Sequence, residues 1–270
     1  MDRIRKALDL ARQSRDRGTD VTAISQPESR PAAKYPISIE YTKTKVFTAP
    51  PAMLEANRIL DPSGNDSGAA AFRMLRTQVL QRLDENGWRS MAILSPGAHD
   101  GKTTTAVNLA VSMANDSRHT VLLIDSDLKR PSIGTMLGIQ SRFGLDDVLR
   151  GEARIEDCLY HPQGFERLVV LPTRAILANS SEALAGPQGR ALVAELRARY
   201  PERILLFDLP PILGADDALA FLPLVECGLM VVAERATRRA DLLRSMELLR
   251  NTPIVGTVIN RATDVNSGYG

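Results

Sequence analysis

Six short apolar runs, rich in leucine, isoleucine and valine, recur along the chain, and helix-like segments separate most of them. Each run is apolar at successive positions rather than at alternate ones, which is typical of strands buried on both faces of a parallel sheet. The pattern predicts an α/β fold, with a mostly parallel sheet flanked by helices on both faces. The predicted strands cover residues 91–94, 121–124, 168–171, 204–207, 229–232 and 254–259.

Between these runs, apolar residues recur at spacings of three and four positions, the period of an amphipathic helix. The first such segment begins near Ala69 and ends at residues 84–87, where Gly87 is the expected C-terminal cap. The sequence Asn-Ser-Ser-Glu at 179–182 has the form of a capping box and predicts another helix start. Further helices are predicted over residues 104–113, 188–199 and 238–250.

The N-terminal part of the chain differs from the rest in composition. Residues 1–17 form a charged, helix-like segment with a narrow apolar stripe, which fits either a docking helix for a partner or neighbouring subunit or a solvated arm. Residues 18–53 are rich in proline, serine and threonine and are predicted to be a linker, with a short β-like stretch at 37–47 suited to a sheet edge. We assign residues 54–262 to one α/β domain and residues 263–270 to a C-terminal tail.

Composition narrows the functional classes. The chain has 270 residues, 44% of them apolar, which is enough for one large α/β domain with extensions. Lysine and arginine total 34 against 32 acidic residues, so nucleic acid is not an expected partner. Cys158 and Cys227 lack metal-ligand spacing and are expected to be buried free thiols. Because neither a membrane-spanning run nor a signal-peptide core is found, a cytoplasmic location is expected.

A phosphate-binding loop is predicted between the first apolar run and the helix after it. The sequence Ser-Pro-Gly-Ala-His-Asp-Gly-Lys-Thr-Thr at 95–104 contains Gly-Lys-Thr, and backbone N–H groups in such loops hold a polyphosphate. Lys102 is expected to reach the β- and γ-phosphates and the Thr103 hydroxyl to hold Mg²⁺. Pro96 takes the place of the usual first glycine, and the structural alternative is an ordinary turn with a solvated lysine. The predicted nucleotide-binding residues of the loop are Gly97, Ala98, His99, Asp100, Gly101, Lys102, Thr103 and Thr104.

Carboxylates follow two of the predicted strands, Asp125 and Asp127 after the second and Asp208 after the fourth. Ligands in such sheets bind at the carboxyl ends of the strands, so these acids are expected to meet the loop there. We expect Asp208 to orient a metal-bound water, and Asp125 and Asp127 to complete the metal shell or accept a proton from a hydroxyl, with Thr103, Asp125 and Asp208 as metal ligands. Helix capping is the alternative for each acid. Asn260, after the last strand, is a candidate for binding an adenine edge or for forming a turn.

Together these motifs resemble the bacterial tyrosine kinases (BY-kinases) of capsule and exopolysaccharide synthesis, in the form whose cytoplasmic P-loop ATPase is separate from its membrane activator. The resemblance covers about residues 54–262. Besides the loop, Asp-Ser-Asp-Leu-Lys-Arg-Pro at 125–131 and Asp-Leu-Pro at 208–210 are similar to the family's second and third acidic motifs. Supporting segments are Gly-Leu-Asp-Asp-Val-Leu at 144–149, Asn-Ser-Ser-Glu at 179–182 and Gly-Thr-Val-Ile-Asn at 256–260.

The resemblance implies a P-loop NTPase fold and a kinase that uses ATP and Mg²⁺ to phosphorylate tyrosines in its own tail. It also implies a homo-oligomer, recruited to the inner face of the cell membrane by a polysaccharide co-polymerase or activator protein. The catalytic set that it implies is Lys102, Asp125, Asp127 and Asp208, with Thr103 beside them.

Three features depart from the family pattern. Tyr269 stands alone in the tail, where the family usually carries several tyrosines, so it is the candidate phosphoacceptor. Arg73 and Arg76 match the family's ring-forming helix and are the candidate oligomer contacts, but Ala70 replaces the glutamate that completes an intersubunit ion pair. Lys129 replaces an arginine, so a planar two-pronged donor becomes a point charge.

Three functions fit these residues. The first is a tyrosine autokinase, and the second is a regulatory ATPase whose nucleotide state governs docking on a polysaccharide-assembly protein, an interpretation that the single Tyr269 favours. The third is a partitioning ATPase of the ParA and MinD type, but that loop carries a further lysine where this chain has Gly97. Under the first hypothesis Lys102 faces a ligand and makes no core contact, so Lys102→Met is expected to abolish ATP hydrolysis and leave the fold intact.

Overall fold

The computed structural model describes residues 44–116 and 118–262 of the chain. Several predictions fall outside these residues: the N-terminal helix at 1–17, most of the linker at 18–53, and Tyr269 in the tail. The assignments made for residues 1–43 and 263–270 therefore stay predictions.

The centre of the fold is one β-sheet. In the described part of the chain its strands are β1 (Lys45–Phe47), β2 (Ser90–Leu94), β3 (Thr120–Asp125), β4 (Tyr160–Pro162), β5 (Leu168–Leu171), β6 (Arg203–Asp208), β7 (Cys227–Ala233) and β8 (Ile254–Asn260). Their order across the sheet is β1-β4-β5-β3-β6-β2-β7-β8. Neighbouring strands are parallel except β4 and β5, which meet antiparallel at Tyr160 and Val170. The mostly parallel sheet expected from continuous apolar runs is therefore confirmed.

All six predicted strands are present, as β2, β3, β5, β6, β7 and β8. Of the β-like stretch predicted at 37–47, the structure describes residues 44–47, which include β1 at a sheet edge as expected. The strand β4, three residues long and containing His161 and Pro162, is not predicted by the sequence pattern. Such a strand has no apolar run of its own and exists because β1 and β5 pair with it on either side.

The predicted linker extends too far toward the domain. Its last residues include β1 and the start of a first helix, α1 (Pro51–Ala56), with Pro50 at the N-cap. Their proline content predicts a linker, but the fixed φ of proline also suits the first turn of a helix, where the missing N–H costs no hydrogen bond. The described fold therefore begins ahead of residue 54.

Helices cover both faces of the sheet. The others in the described residues are α2 (Ser67–Asn86), α3 (Lys102–Ala114), α4 (Ile133–Leu137), α5 (Leu145–Leu149), α6 (Ser180–Ala185), α7 (Pro187–Arg199), α8 (Asp217–Phe221) and α9 (Arg239–Leu248). Because successive strand residues point to opposite faces, Met91 and Ile93 join the core beneath α2 to α4, whereas Ala92 and Leu94 join the core beneath α5 to α8. Among residues 44–116 and 118–262, no helix is both long enough and apolar enough to cross a bilayer.

The helix ends predicted from local sequence are confirmed for α2 and only in part for α6. The Asp66 carboxylate accepts a hydrogen bond from the Ala69 N–H at 2.8 Å and caps α2, which ends at Gly87 with φ 68° as predicted. The helix start predicted at 179–182 is confirmed, since α6 begins at Ser180. The predicted capping box is wrong, because the Asn179 side chain makes no capping hydrogen bond. The Asn179 backbone has ψ 49°, outside the extended region that N-cap residues usually adopt.

Both cysteines are free and buried, as predicted. Burial raises the pKa of the Cys158 thiol and of the Cys227 thiol to about 12. The two side chains therefore stay neutral and pack as small apolar groups.

The sheet register brings the site residues together. β3 and β6 are neighbours and place Asp125 directly opposite Asp208. β2, which leads into the predicted phosphate loop, pairs with the other side of β6. The carboxyl ends of these three strands therefore meet near the middle of the sheet, where ligands of parallel sheets bind.

Candidate active site

The loop between β2 and α3 is held by hydrogen bonds from neighbouring elements. Asn260, the last residue of β8, donates an amide N–H to the Asp100 carbonyl at 2.9 Å. The Asp100 carboxylate accepts from the Gly97 N–H at 2.9 Å and from the Thr237 hydroxyl at 2.7 Å. Asp100 is 5% exposed, so its carboxylate supports the loop from within. Asp100, within the loop, and Asn260, at the end of β8, are both predicted nucleotide-binding residues. Their hydrogen bonds hold the conformation of the loop.

Thr237 is a residue of this site that sequence analysis missed. It lies in the turn after β7, where its hydroxyl accepts from the Ala233 N–H at 2.8 Å while donating to Asp100. No motif surrounds it in the sequence. Only the pairing of β7 with β2, a tertiary feature, brings this turn beside the phosphate loop.

Gly101 allows Asn260 to approach the loop closely. Its φ is 90°, and a Cβ added there would overlap Asn260 Nδ2. Gly101 is also the N-cap of α3, and without a side chain it leaves the first-turn N–H groups of the helix uncapped. Lys102 and Thr103 begin that turn, so the end of α3 offers backbone donors to an anion.

Gly101→Ala is expected to destabilise the protein. Left-handed strain and overlap with Asn260 together cost about 2–4 kcal/mol, which lowers the melting temperature by about 5–10 °C. Gly97→Ala is the matched control, because the nearest atom to a Cβ there is Asp100 Oδ2 at 3.6 Å. Thermal unfolding without nucleotide measures both, and equal melting temperatures would show that Asn260 does not constrain the loop.

Lys102 and Asp208 form a buried ion pair. Lys102 Nζ lies 2.6 Å from Asp208 Oδ1, and the Thr103 hydroxyl donates to Asp208 Oδ2 at 2.7 Å. The Lys102 side chain is 6% exposed and that of Asp208 is 0% exposed. Burial raises the pKa of Asp208, and the adjacent Lys102 ammonium opposes this effect. The expectation that Lys102 makes no core contact is therefore wrong, because it neutralises a fully buried carboxylate.

Asp125 lies behind the cleft surface. Its Oδ2 accepts hydrogen bonds from the Ser132 and Ile133 N–H groups, each at 2.9 Å, so the capping alternative applies to this oxygen. Its Oδ1 has no hydrogen-bond partner among the described residues. Burial, together with the charge of Asp208, raises the pKa of Asp125 to about 8, although the two N–H donors and Lys102 oppose the rise. One oxygen of Asp125 is thus available to a cation.

Asp127 faces the cleft directly, as one of its lining residues. Its Oδ1 accepts from the Arg130 N–H at 3.0 Å, which fixes the turn after β3. Its Oδ2 lies 3.9 Å from Lys102 Nζ. Asp127 therefore presents a carboxylate to the space in front of the phosphate loop.

The cleft itself has a volume of about 780 Å³, which is within the range of small-molecule sites. Lys129 and Arg130 line its mouth, and Pro211 and Leu213 form part of an apolar wall. Lys129 Nζ bonds the buried Asp217 carboxylate at 2.7 Å, and this hydrogen bond raises the pKa of Lys129. The lysine that replaces the family's arginine is thus a fixed positive charge at the cleft.

The oxygen atoms around Thr103 fit a magnesium ion. Mg²⁺ prefers oxygen ligands, and proteins usually supply one or two carboxylates while phosphates and waters supply the rest. Here the Thr103 hydroxyl contacts Asp208, and the unpartnered Asp125 Oδ1 is a buried acceptor. Across residues 44–116 and 118–262 no three His, Cys, Asp or Glu side chains converge on a metal position, so side chains alone do not build a complete shell there.

The candidate oligomer-contact arginines make hydrogen bonds within the subunit. Arg73 Nη1 donates to the carbonyls of Pro62 and Gly64, at 3.2 and 2.6 Å. Arg76 Nη1 donates to the Ser112 carbonyl at 3.1 Å. These bonds tie α2 to the turn before it and to α3, and a role between subunits stays a prediction.

The phosphate loop and the acids fall within a segment that matches a known family. Residues 89–267 match the ParA family model, described as NUBPL iron-transfer P-loop NTPase. The match spans β2 to β8 and includes all the residues that we assign to the phosphate and metal positions.

Individual relatives are named as kinases or as polysaccharide proteins. The chain is 29% identical over 202 residues to the tyrosine-protein kinase YwqD of Bacillus subtilis (strain 168), an alignment that covers 74% of this chain and 84% of YwqD. It is 29% identical over 221 residues to the succinoglycan biosynthesis transport protein ExoP of Rhizobium meliloti (strain 1021), covering 78% of this chain and 27% of ExoP. The chain therefore spans most of the first relative and about a quarter of the second.

A solved structure agrees with both comparisons. The kinase domain of VpsO is 30% identical to this chain with a TM-score of 0.65, and the similarity covers 73% of this chain and 96% of that domain. From the loop, the acids at the strand ends and these matches, we conclude that the chain belongs to the ParA family of P-loop NTPases and, within it, to the bacterial tyrosine kinases.

Proposed function

We propose that this protein is a Mg²⁺-ATP-dependent protein-tyrosine kinase that phosphorylates its own chain and acts in exopolysaccharide or capsule biosynthesis. The observation that carries the proposal is the convergence of Lys102, Thr103 and Asp208 at the phosphate loop, with Asp127 facing the cleft in front of it. Such a loop holds polyphosphate, and a carboxylate before it is placed to accept a proton from a hydroxyl. The printed name of ExoP, a succinoglycan biosynthesis protein, supports the polysaccharide setting.

Nucleotide binding is the role of the loop and of the start of α3. Backbone N–H groups of the loop donate to phosphate oxygens, and the Lys102 ammonium contacts the β- and γ-phosphates. Asp208 holds this ammonium at the loop before a nucleotide arrives. Thr103, Asp208 and the free oxygen of Asp125 would hold Mg²⁺, which when bound neutralises phosphate charge.

The proposed chemistry is phosphoryl transfer. The tyrosine hydroxyl oxygen forms a bond to the γ-phosphorus, the bond from that phosphorus to the β–γ bridging oxygen breaks, and ADP leaves with the electron pair. The hydroxyl proton passes to Asp127. We assign this role to Asp127 because it lines the cleft, whereas Asp125 is fully buried and bonded to two backbone N–H groups.

The proposed acceptor is Tyr269, outside the described residues, on the tail of a neighbouring subunit in a homo-oligomer. Arg73 and Arg76 are the proposed contacts between subunits. We further propose a cytoplasmic protein that a polysaccharide co-polymerase or activator recruits to the inner face of the cell membrane. The segment 1–17 is the candidate docking helix for that partner.

Peptide mass spectrometry after incubation with Mg-ATP, combined with an assay of ATP consumption, tests this proposal. We expect phosphate on Tyr269 of the parent protein and no phosphotyrosine in Tyr269→Phe. ATP consumption without phosphotyrosine would support the regulatory ATPase instead, the alternative that a single tail tyrosine favours. A protein that neither binds nor consumes ATP would contradict both functions.

A further inference from the structure

Apolar side chains are left uncovered where α9 lies beside the edge of the sheet. Among residues 44–116 and 118–262, seven large apolar side chains are exposed, and four of them belong to this corner: Leu243, Met246, Leu248 and Ile259. Ile259 is 62% exposed because β8 is the last strand of the sheet in the described part of the chain. Apolar residues scattered singly are normal on a protein surface, whereas a cluster of them indicates a binding surface.

The apolar stripe of α9 is wider than the core beneath it. Leu242 packs against that core. At about 100° per residue, Met246 lies about 40° and Leu243 about 100° round the helix from Leu242, and both are exposed. Asp241, which lines the phosphate cleft, lies about 100° from Leu242 in the other direction. The exposed part of the stripe therefore faces away from the cleft, toward the β8 side of the sheet.

Ile259 lies on the same face of the sheet as α9. It pairs with Val232 of β7, and Val232 packs against the same core as Leu242. Because residues paired in register point to one face of a sheet, the Ile259 side chain points to the face that α9 covers. We call the exposed group of Leu243, Met246 and Ile259 the α9–β8 surface.

Arginines without partners accompany this surface. Arg239 lies between the two exposed apolar residues round the helix, and Arg250 follows the end of α9. Both side chains are exposed, and neither makes a hydrogen bond or an ion pair with any described residue. Residues 238–250 contain four arginines against two acids, Asp241 and Glu247, a net charge of +2. The α9–β8 surface is thus apolar and basic, which favours a ligand that is both apolar and anionic.

From these features we infer that the α9–β8 surface binds an anionic lipid bilayer. In this arrangement α9 lies in the plane of the membrane, with Leu243 and Met246 among the upper acyl chains and the arginines on lipid phosphates. Apolar residues flanked by arginines on one side of a helix are typical of helices that lie at a membrane surface. A nucleic-acid backbone would engage the charges alone and leave the apolar side chains in water, whereas a bilayer engages both.

The inference goes beyond the proposed function, which assigns recruitment to the membrane to a partner protein. It concerns a surface outside the phosphate loop and the acids, and lipid binding there needs neither ATP nor phosphoryl transfer. Failure of the inference would therefore leave the proposed kinase activity untouched, and loss of that activity would leave the inference standing.

Sedimentation of the full chain with lipid vesicles, without nucleotide, tests the inference. The parent protein should bind vesicles of phosphatidylcholine mixed with phosphatidylglycerol and not vesicles of phosphatidylcholine alone, and added salt should weaken the binding. Arg239→Gln/Arg250→Gln should weaken it about 10- to 30-fold, because each arginine near an anionic membrane contributes about fivefold. Arg142→Gln/Arg190→Gln is the matched control, since it removes the same charge from exposed arginines ahead of α5 and on α7.

A second variant tests the apolar contact. Leu243→Ser should weaken binding to the mixed vesicles about 3- to 10-fold, because less apolar surface leaves water when the helix enters the membrane. Ile176→Ser is the matched control, since Ile176 is 70% exposed in the loop between β5 and α6 and should not affect binding. The substituted side chains of α9 are exposed, so the variants should keep the melting temperature of the parent protein.

Three results would overturn the inference. The first is a parent protein that does not sediment with the mixed vesicles. The second is parent-like binding by both α9 variants, because another part of the chain, such as residues 1–17, would then hold the lipid. The third is a loss in Arg239→Gln/Arg250→Gln but not in Leu243→Ser, together with equal losses for vesicles and for double-stranded DNA, which would identify a general site for polyanions.

Discussion

Replacing Lys102 with methionine is expected to abolish ATP turnover and, in the same variant, to lower the free energy of unfolding. Turnover falls by at least about 100-fold, because the ammonium that stabilises charge on the phosphates is gone. Stability falls because the ion pair with Asp208 is buried, and removing one partner of such a pair costs about 3–5 kcal/mol. ATPase assays and urea unfolding measure the two effects separately.

The double variant Lys102→Met/Asp208→Asn separates binding chemistry from folding. An asparagine at position 208 is neutral and still accepts a hydrogen bond from the Thr103 hydroxyl, so most of the lost stability should return while turnover remains absent. A Lys102→Met protein as stable as the parent would contradict the structural role of the ion pair. Parent-like turnover in the same protein would remove Lys102 from the mechanism.

Asp127→Asn is expected to slow phosphoryl transfer by about 10²- to 10⁴-fold, the usual contribution of a general base. ATP affinity should change little, because the loop donors and Lys102 remain. The substitution keeps the side-chain shape, and the amide oxygen still accepts from the Arg130 N–H that fixes the local turn. Single-turnover kinetics and a nucleotide titration distinguish slower transfer from weaker binding.

Asp125→Asn is the matched comparison, since it is the same change two residues away on a buried side chain. We expect this variant to need more Mg²⁺ for half-maximal turnover, because the oxygen of Asp125 without a hydrogen bond is the one assigned to the metal. The opposite pattern, in which Asp127→Asn keeps normal transfer and Asp125→Asn loses it at saturating Mg²⁺, would move the base role to Asp125.

Much of the fold was predictable because its central strands are buried on both faces. Such strands are apolar at every position and stand out in the sequence, as residues 121–124 do for β3. By contrast, β4 is stabilised by its pairing with β1 and β5, and its own sequence of Tyr-His-Pro carries no strand pattern. The prolines at the start of α1 predict a linker and a helix start equally well, because proline suits both, and only the tertiary path of the chain decides between them.

The site was predictable in its residues but not in its internal contacts. The glycine and lysine of the loop and the acids at the strand ends identify a phosphate and metal position, since parallel strands end on one edge. Sequence spacing does not show that Lys102 is buried against Asp208, or that Asp125 turns one oxygen toward the start of α4. It also does not bring Thr237 to Asp100, since these residues lie on different loops.

Transfer of phosphate from this site to the tail tyrosine of a neighbouring subunit is tested most directly by mixing two variants. Tyr269→Phe keeps the catalytic site and lacks the acceptor, whereas Lys102→Met/Asp208→Asn keeps Tyr269 and lacks catalysis. After incubation of the mixture with Mg-ATP, peptide mass spectrometry should find phosphate on Tyr269 of the inactive variant, and neither variant alone should carry it. Consumption of ATP in the mixture with no phosphate on Tyr269 would contradict the claim.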